Sequence, residues 1–117
     1  MTTVYNVIQS PDGEALVASP VEIKLVWDKS IQLVATDNAN SVMLLGRYVT
    51  RTSVSGRWEV GLVPNDEISP VGSVYQITER VPPGKQAVTY FFEVPVESAT
   101  PVDVWLGTIL VDRPSYV

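Results

Sequence analysis

An all-β fold is what this sequence predicts, and three observations predict it. Apolar residues recur at every second position: Val21, Ile23, Leu25 and Trp27 in one run, Trp58, Val60 and Leu62 in another, Val88, Tyr90, Phe92 and Val94 in a third. Gly and Pro punctuate the chain at short intervals, as the turns between short strands require. No stretch of ordinary helical length carries an apolar stripe. Together these predict a single antiparallel β-sandwich of about seven strands, with no long helix.

Residues 3–9 are rich in β-formers, and Pro11-Asp12-Gly13 is a turn with a mechanism: proline presets φ, and glycine accepts the left-handed region. Pro20 suits the first position of a strand, where no ladder donor is needed, and that strand runs on through Trp27. Residues 31–35 read as a short strand, 36–41 as a polar loop, and 42–45 as an apolar run bent or bulged at Gly46. Residues 48–54 carry Thr and Val at strand density. Ser55-Gly56 turns the chain into a strand with Trp58, Val60 and Leu62 on its core face. Residues 64–70 are a connector with room for one helical turn. Residues 73–81 are a strand with Tyr75 and Ile77 on one face, and Pro82-Pro83-Gly84-Lys85 is a turn. The alternation over 88–94 is the clearest in the chain, and Pro95 ends it. Pro101 opens a last apolar segment that reaches Val111. Residues 1–117 thus make one domain, with 1–9 and 113–117 as short arms.

A chain of 117 residues has the length of one domain. Hydrophobic residues reach 45% and charged ones only 18%, the opposite of the balance that disorder needs. A chain this small and apolar is expected to hide part of its surface against a partner. The net charge of −5 argues against nucleic acid, because phosphate binding needs clustered Lys and Arg. The nearest basic set, Arg47, Arg51 and Arg57, reads as solvation of a strand pair. No segment approaches the ~20 apolar residues of a membrane-spanning helix. The longest apolar-rich piece, 102–111, is interrupted by Asp103, Gly107 and Thr108. Residues 1–10 lack the basic and long apolar regions of a signal peptide. Neither nucleic acid nor membrane is an expected partner.

The sequence contains no histidine and no cysteine. That removes Ser-His-Asp and Cys-His arrangements, and it removes zinc's preferred ligands. Asp37-Asn38-Ala39-Asn40 is the best candidate for an oxygen-ligated calcium site, but it lacks the acidic density and distal Glu of an EF-hand loop. It reads as a polar hairpin loop. Asp66 with Glu67, and Glu93 with Glu97, are carboxylate pairs with no sign of a cleft, and they read as surface solvation. Neither GxGxxG nor a P-loop occurs. The expectation is no enzyme: no catalytic residue, no cofactor and no metal.

Aromatic residues are the remaining candidates. Trp58 and Trp27 stand in phase with apolar neighbours and are expected in the core. Trp105 has Val104 and Leu106 on either side, so either one face meets another chain or the strand is buried on both. Phe91 stands opposite Tyr90 and Phe92 and poses the same choice. Tyr5 and Tyr116 lie on the arms, which are the natural contact segments. Tyr5, Phe91, Trp105 and Tyr116 are the expected partner contacts.

Two motifs carry a family resemblance. The order of residues 12–23, followed by Thr52-Ser53-Val54-Ser55-Gly56-Arg57-Trp58, resembles the T-x-x-x-G-x-[FW] step of transthyretin-like and carboxypeptidase-regulatory-like β-sandwich domains. A tight Gly turn there delivers an aromatic into the core. The run Gly56-x-Trp58-x-Val60-x-Leu62-Val63-Pro64-Asn65-x-x-Ile68-x-Pro70-x-Gly72-Ser73-x-Tyr75-x-Ile77-x-Glu79 looks like a module of tailed-phage virion proteins. Tyr90-Phe91-Phe92-Glu93-Val94-Pro95 continues that likeness, which covers roughly 7–111. The resemblance implies an Ig-like or prealbumin-like sandwich and a structural virion role. The chain would be a capsid decoration protein on the outside of the head, partnered by the major capsid protein or another virion protein. The alternative is a tail appendage or fibre module that binds a host glycan or receptor. It would form a homo-oligomer, a trimer foremost, in the host cytoplasm during assembly and then in the virion.

Overall fold

Alternating side chains need two apolar faces to meet, and the chain meets that need with facing sheets. The computed structural model describes residues 1–44, 46–81, 86–96 and 103–117. Leu45, the turn at Pro82-Pro83-Gly84-Lys85, Glu97, and the opening of the last apolar segment at Pro101 and Val102 lie outside the described residues.

The described residues are all-β, with eleven strands. They are β1 Thr2–Val7, β2 Pro20–Val26, β3 Ala35–Asp37, β4 Val42–Leu44, β5 Arg47–Arg51, β6 Arg57–Leu62, β7 Ile68–Ser69, β8 Val74–Val81, β9 Gln86–Phe92, β10 Val104–Trp105 and β11 Leu110–Val111. Two 3-10 turns, Asn65–Glu67 and Leu106–Thr108, are the only helical pieces among the described residues.

A three-stranded sheet, β10-β1-β6, faces a five-stranded one, β11-β9-β8-β2-β5. A small third sheet, β4-β3-β7, lies beyond the end of β6. The result is β-sandwich-like, with every described pairing antiparallel except β1 with β10. Val4, Trp58 and Leu62 from the smaller sheet pack in one core with Val21, Ile23, Leu25, Ile77 and Phe92 from the larger. Tyr75 stacks on Phe92 with ring centroids 5.5 Å apart. Replacing a buried aromatic of this kind by alanine costs about 3–5 kcal/mol.

Two expectations about the chain path need correction, those for residues 1–9 and 31–41, and two are filled in. Residues 1–9 are not an arm: Thr2–Val7 is the middle strand of its sheet, hydrogen-bonded on both sides. Residues 113–117 are tied down at Tyr116, whose hydroxyl donates to the Gly72 carbonyl at 2.8 Å. Residues 31–34 are not strand. The Asp28 side chain accepts from Ser30 N–H, Ile31 N–H returns to Asp28 O, and Trp27 Nε1–H donates to Gln32 O at 2.9 Å. These local bonds curl the segment before a ladder can start. The strand begins instead at Ala35 and takes in Thr36 and Asp37, two residues expected in the loop. The last apolar segment divides between sheets, with β10 in the smaller, β11 in the larger and the 3-10 turn around Gly107 between them.

Gly56 makes a turn with no room for a side chain. Its φ is +79°, and a Cβ there would strike the Ile8 carbonyl oxygen. Ile8 N–H donates to Gly56 O at 2.9 Å, so the turn is stitched to the end of β1. This is the residue that delivers Trp58 to the core.

Candidate functional site

Three surfaces carry the residues with binding character, and the strand register sets each of them. The first lies along β10, an edge strand. Parallel pairing sets Tyr5 beside Trp105, and antiparallel pairing sets Tyr5 beside Glu59. Val4 is buried, so alternation turns Tyr5 to the outer face of the sheet. Arg57 crosses that face: its guanidinium carbon lies 4.0 Å from the Tyr5 ring centroid. It ion-pairs with Asp103 at 3.4 Å and Glu59 at 3.8 Å. The pairs are too exposed to add much stability. They do place donors and acceptors of both signs on this face.

Trp105 is 51% exposed, yet its ring is pinned. Its Nε1–H donates to Asn6 Oδ1 at 3.0 Å. The six-membered ring lies against Gly107, where a Cβ would come within 2.7 Å of two ring carbons. The Thr108 hydroxyl donates to the Trp105 carbonyl at 2.7 Å.

Asn6 leads inward. Its Nδ2 donates to Glu79 Oε2 at 2.8 Å, and Trp58 Nε1–H donates to the same oxygen at 2.6 Å. Glu79 is 1% exposed, a carboxylate set between the two sheets. A buried carboxylate is tolerable only when hydrogen bonds replace its water. Here two donors from the smaller sheet supply that replacement. A polar relay therefore runs from the buried Trp58 through Glu79 and the half-buried Asn6 to the exposed Trp105.

The second surface is the outer face of the five-stranded sheet. Phe91 is half-buried there, opposite Val111 and Gln76 in register. It lines an open hollow of about 650 Å³ with Thr89, Asp112 and Arg113. Tyr116 is half-buried, and its position beside Gly72 holds the C-terminal residues over the end of this sheet. Burial raises the Tyr116 pKa, as do the charges of Asp28 and Glu93. The four expected contact residues thus divide: Tyr5 and Trp105 come together on one sheet, while Phe91 and Tyr116 belong to the other.

The third surface was not singled out by sequence reasoning. Ile31, Leu33, Val34, Val42 and Met43 are all exposed on the stretch leading into and out of the β3–β4 hairpin, with Leu33 79% and Met43 65% exposed. Their alternation is broken by Gln32 and the loop, which hides the pattern. Asp37, at the head of the hairpin turn, is buried and spends its oxygens on Ala39 N–H and Asn40 Nδ2. That is the work of a turn cap.

Glu79, Asn6 and Gly107 were also missed as site residues. Glu79 had a signal: it is in phase with Tyr75 and Ile77 on β8, so period two already placed a carboxylate on a core face. Of the other residues weighed, Trp58 is buried as expected and Trp27 only partly so, packed against the core with Lys29 Nζ 5.4 Å from its ring. Arg47 pairs with Glu22 at 2.8 Å, and Arg51 donates to Ala18 O, so these two sit on the larger sheet, away from Arg57. Comparison with protein-family models and with curated proteins finds no match to this chain.

Proposed function

We propose that this chain is a non-enzymatic structural protein of a tailed-phage virion that docks on the outside of the head shell and stabilises it. The motif running from Gly56 to Glu79, and Tyr90 to Pro95 after it, supports the virion assignment. The observation that carries the docking role is the exposed apolar stretch around the β3–β4 hairpin. Leu33 and Met43 stand in water at 79% and 65% exposure, with Ile31, Val34 and Val42 exposed on the same stretch of chain. Exposed apolar groups concentrated on one segment mark a protein contact. The partner in this reading is the major capsid protein, and assembly as a symmetric oligomer, a trimer foremost, would repeat the contact around a shell axis. A net charge of −5 suits a position outside the shell, away from the packaged genome.

The test is co-sedimentation with pre-formed shells. The chain is expected to pellet with them and to raise the temperature at which they break open. Leu33→Asp with Met43→Asp is expected to abolish both effects while leaving the circular dichroism spectrum unchanged. A chain that stays in the supernatant as a monodisperse monomer contradicts the proposal. Pelleting with tails in place of shells moves the protein to a tail appendage.

A further inference from the structure

The relay from Glu79 to Trp105 has no evident role in docking by the β3–β4 hairpin. That hairpin lies beyond the Leu62 end of β6, while Tyr5 and Trp105 stand level with Glu59, near its start. From this second location we infer that the β10 edge is a binding platform for neutral carbohydrate, with the Trp105 ring as its stacking surface. The inference rests on the reading of the chain as a binding module, not on where it docks.

The geometry argues for this ligand class in three steps. First, the ring is fixed before any ligand arrives. An exposed indole normally samples several rotamers, and holding one costs entropy on binding. Asn6 holds the ring nitrogen and Gly107 receives the ring, so that cost is already met in the free protein. Second, the indole N–H is consumed inside the protein. What Trp105 still offers a ligand is the half of its surface that Gly107 and the sheet leave in water, apolar ring surface of the kind that packs on the C–H face of a sugar. Third, the rim offers hydrogen-bonding groups with little net charge. Arg57 stands between Asp103 and Glu59 and stacks on Tyr5. A phosphorylated or strongly anionic ligand meets two carboxylates here, and a cationic one meets the guanidinium. A ligand bearing hydroxyls finds both acceptors and donors along this rim. In this arrangement Gly107 and Asn6 are positioning residues, and Glu79 positions Asn6.

The experiment uses the full chain on immobilised oligosaccharides ending in glucose, galactose, mannose or N-acetylglucosamine, with a proline-rich peptide beside them as the competing class of aromatic-groove ligand. Binding to at least one of these glycans is expected, with little dependence on salt. Trp105→Ala is expected to abolish it. Gly107→Ala, which displaces the ring without a backbone penalty, is expected to weaken it about tenfold. Both variants should keep the wild-type circular dichroism spectrum. No glycan bound by the wild type, glycan binding that survives Trp105→Ala, or selective binding of the proline-rich peptide each overturns the inference. Shell co-sedimentation is run on the same samples. Shell binding without glycan binding sinks only this inference, and glycan binding without shell binding sinks only the docking proposal.

Discussion

Trp58 and Trp105 end on one hydrogen-bonded relay, but one ring is 2% exposed and the other 51%. Trp58 reaches Glu79 directly, from the core face of β6. Trp105 reaches it through Asn6, from an edge strand. The difference teaches how one buried carboxylate can serve two ends. On the inside it satisfies an indole N–H that would otherwise be buried without a partner. Toward the surface it orients the amide that fixes a ring in water. The first use is a matter of stability and the second of presentation, and substitutions separate them.

The largest expected effect is Trp58→Ala, which empties the core and removes a donor from Glu79. It should cost about 4 kcal/mol, read from the denaturant midpoint. Glu79→Ala comes next. It strands the Trp58 N–H and the Asn6 amide together, so a loss of about 3 kcal/mol is expected. Glu79→Gln keeps an acceptor oxygen and should lose less. Equal stability for wild type and Glu79→Ala would show that the relay does not hold the sheets.

Gly56→Ala should cost about 2 kcal/mol, because an alanine there is held at positive φ and strikes the Ile8 carbonyl. The same change at Gly107 pushes the Trp105 ring off its seat and into water, with no backbone carbonyl in the way, and should cost about 1 kcal/mol.

Tyr75 adds a pH term. Burial, and secondarily the Asp37 charge, raise its pKa above the ordinary 10.0, and its hydroxyl donates to Val63 O, a bond that only the protonated form can make. The folded state therefore holds this proton more tightly than the unfolded chain does. Its contribution is complete below pH 10 and is lost as pH rises further, at about 1.4 kcal/mol per unit. Midpoints measured across that range should fall, and Tyr75→Phe should flatten the slope.

The smallest effect on stability is expected from Trp105→Ala, less than about 1 kcal/mol. A loss as large as that of Trp58→Ala would remove the contrast altogether.

Much of this arrangement could be read from the sequence, and the rest has identifiable causes. Strands β2, β6 and β9 declare themselves by alternation because each has one face on the core. Residues 31–34 looked like strand by composition, but Asp28 and Trp27 bond to them locally and win. The split of the last apolar segment between two sheets depends on tertiary pairing with β1 and β9, which no local pattern encodes. Tyr5 and Trp105 were both proposed as contacts, but their adjacency needs a parallel register between strands nearly a chain length apart. Glu79 was legible in phase and passed over because its type suggests surface. Asn6 carried no signal, since its importance comes wholly from what it joins.

The most direct test of the relay is the set of three indole N–H resonances in a nitrogen–proton correlation spectrum. With the Asn6→Ala variant, the Trp105 resonance is predicted to move and exchange with water at least tenfold faster. The Trp58 resonance should move, and that of Trp27, bonded separately to Gln32, should stay in place. A Trp105 N–H that already exchanges like free tryptophan in the wild type, and is indifferent to Asn6, would contradict the account.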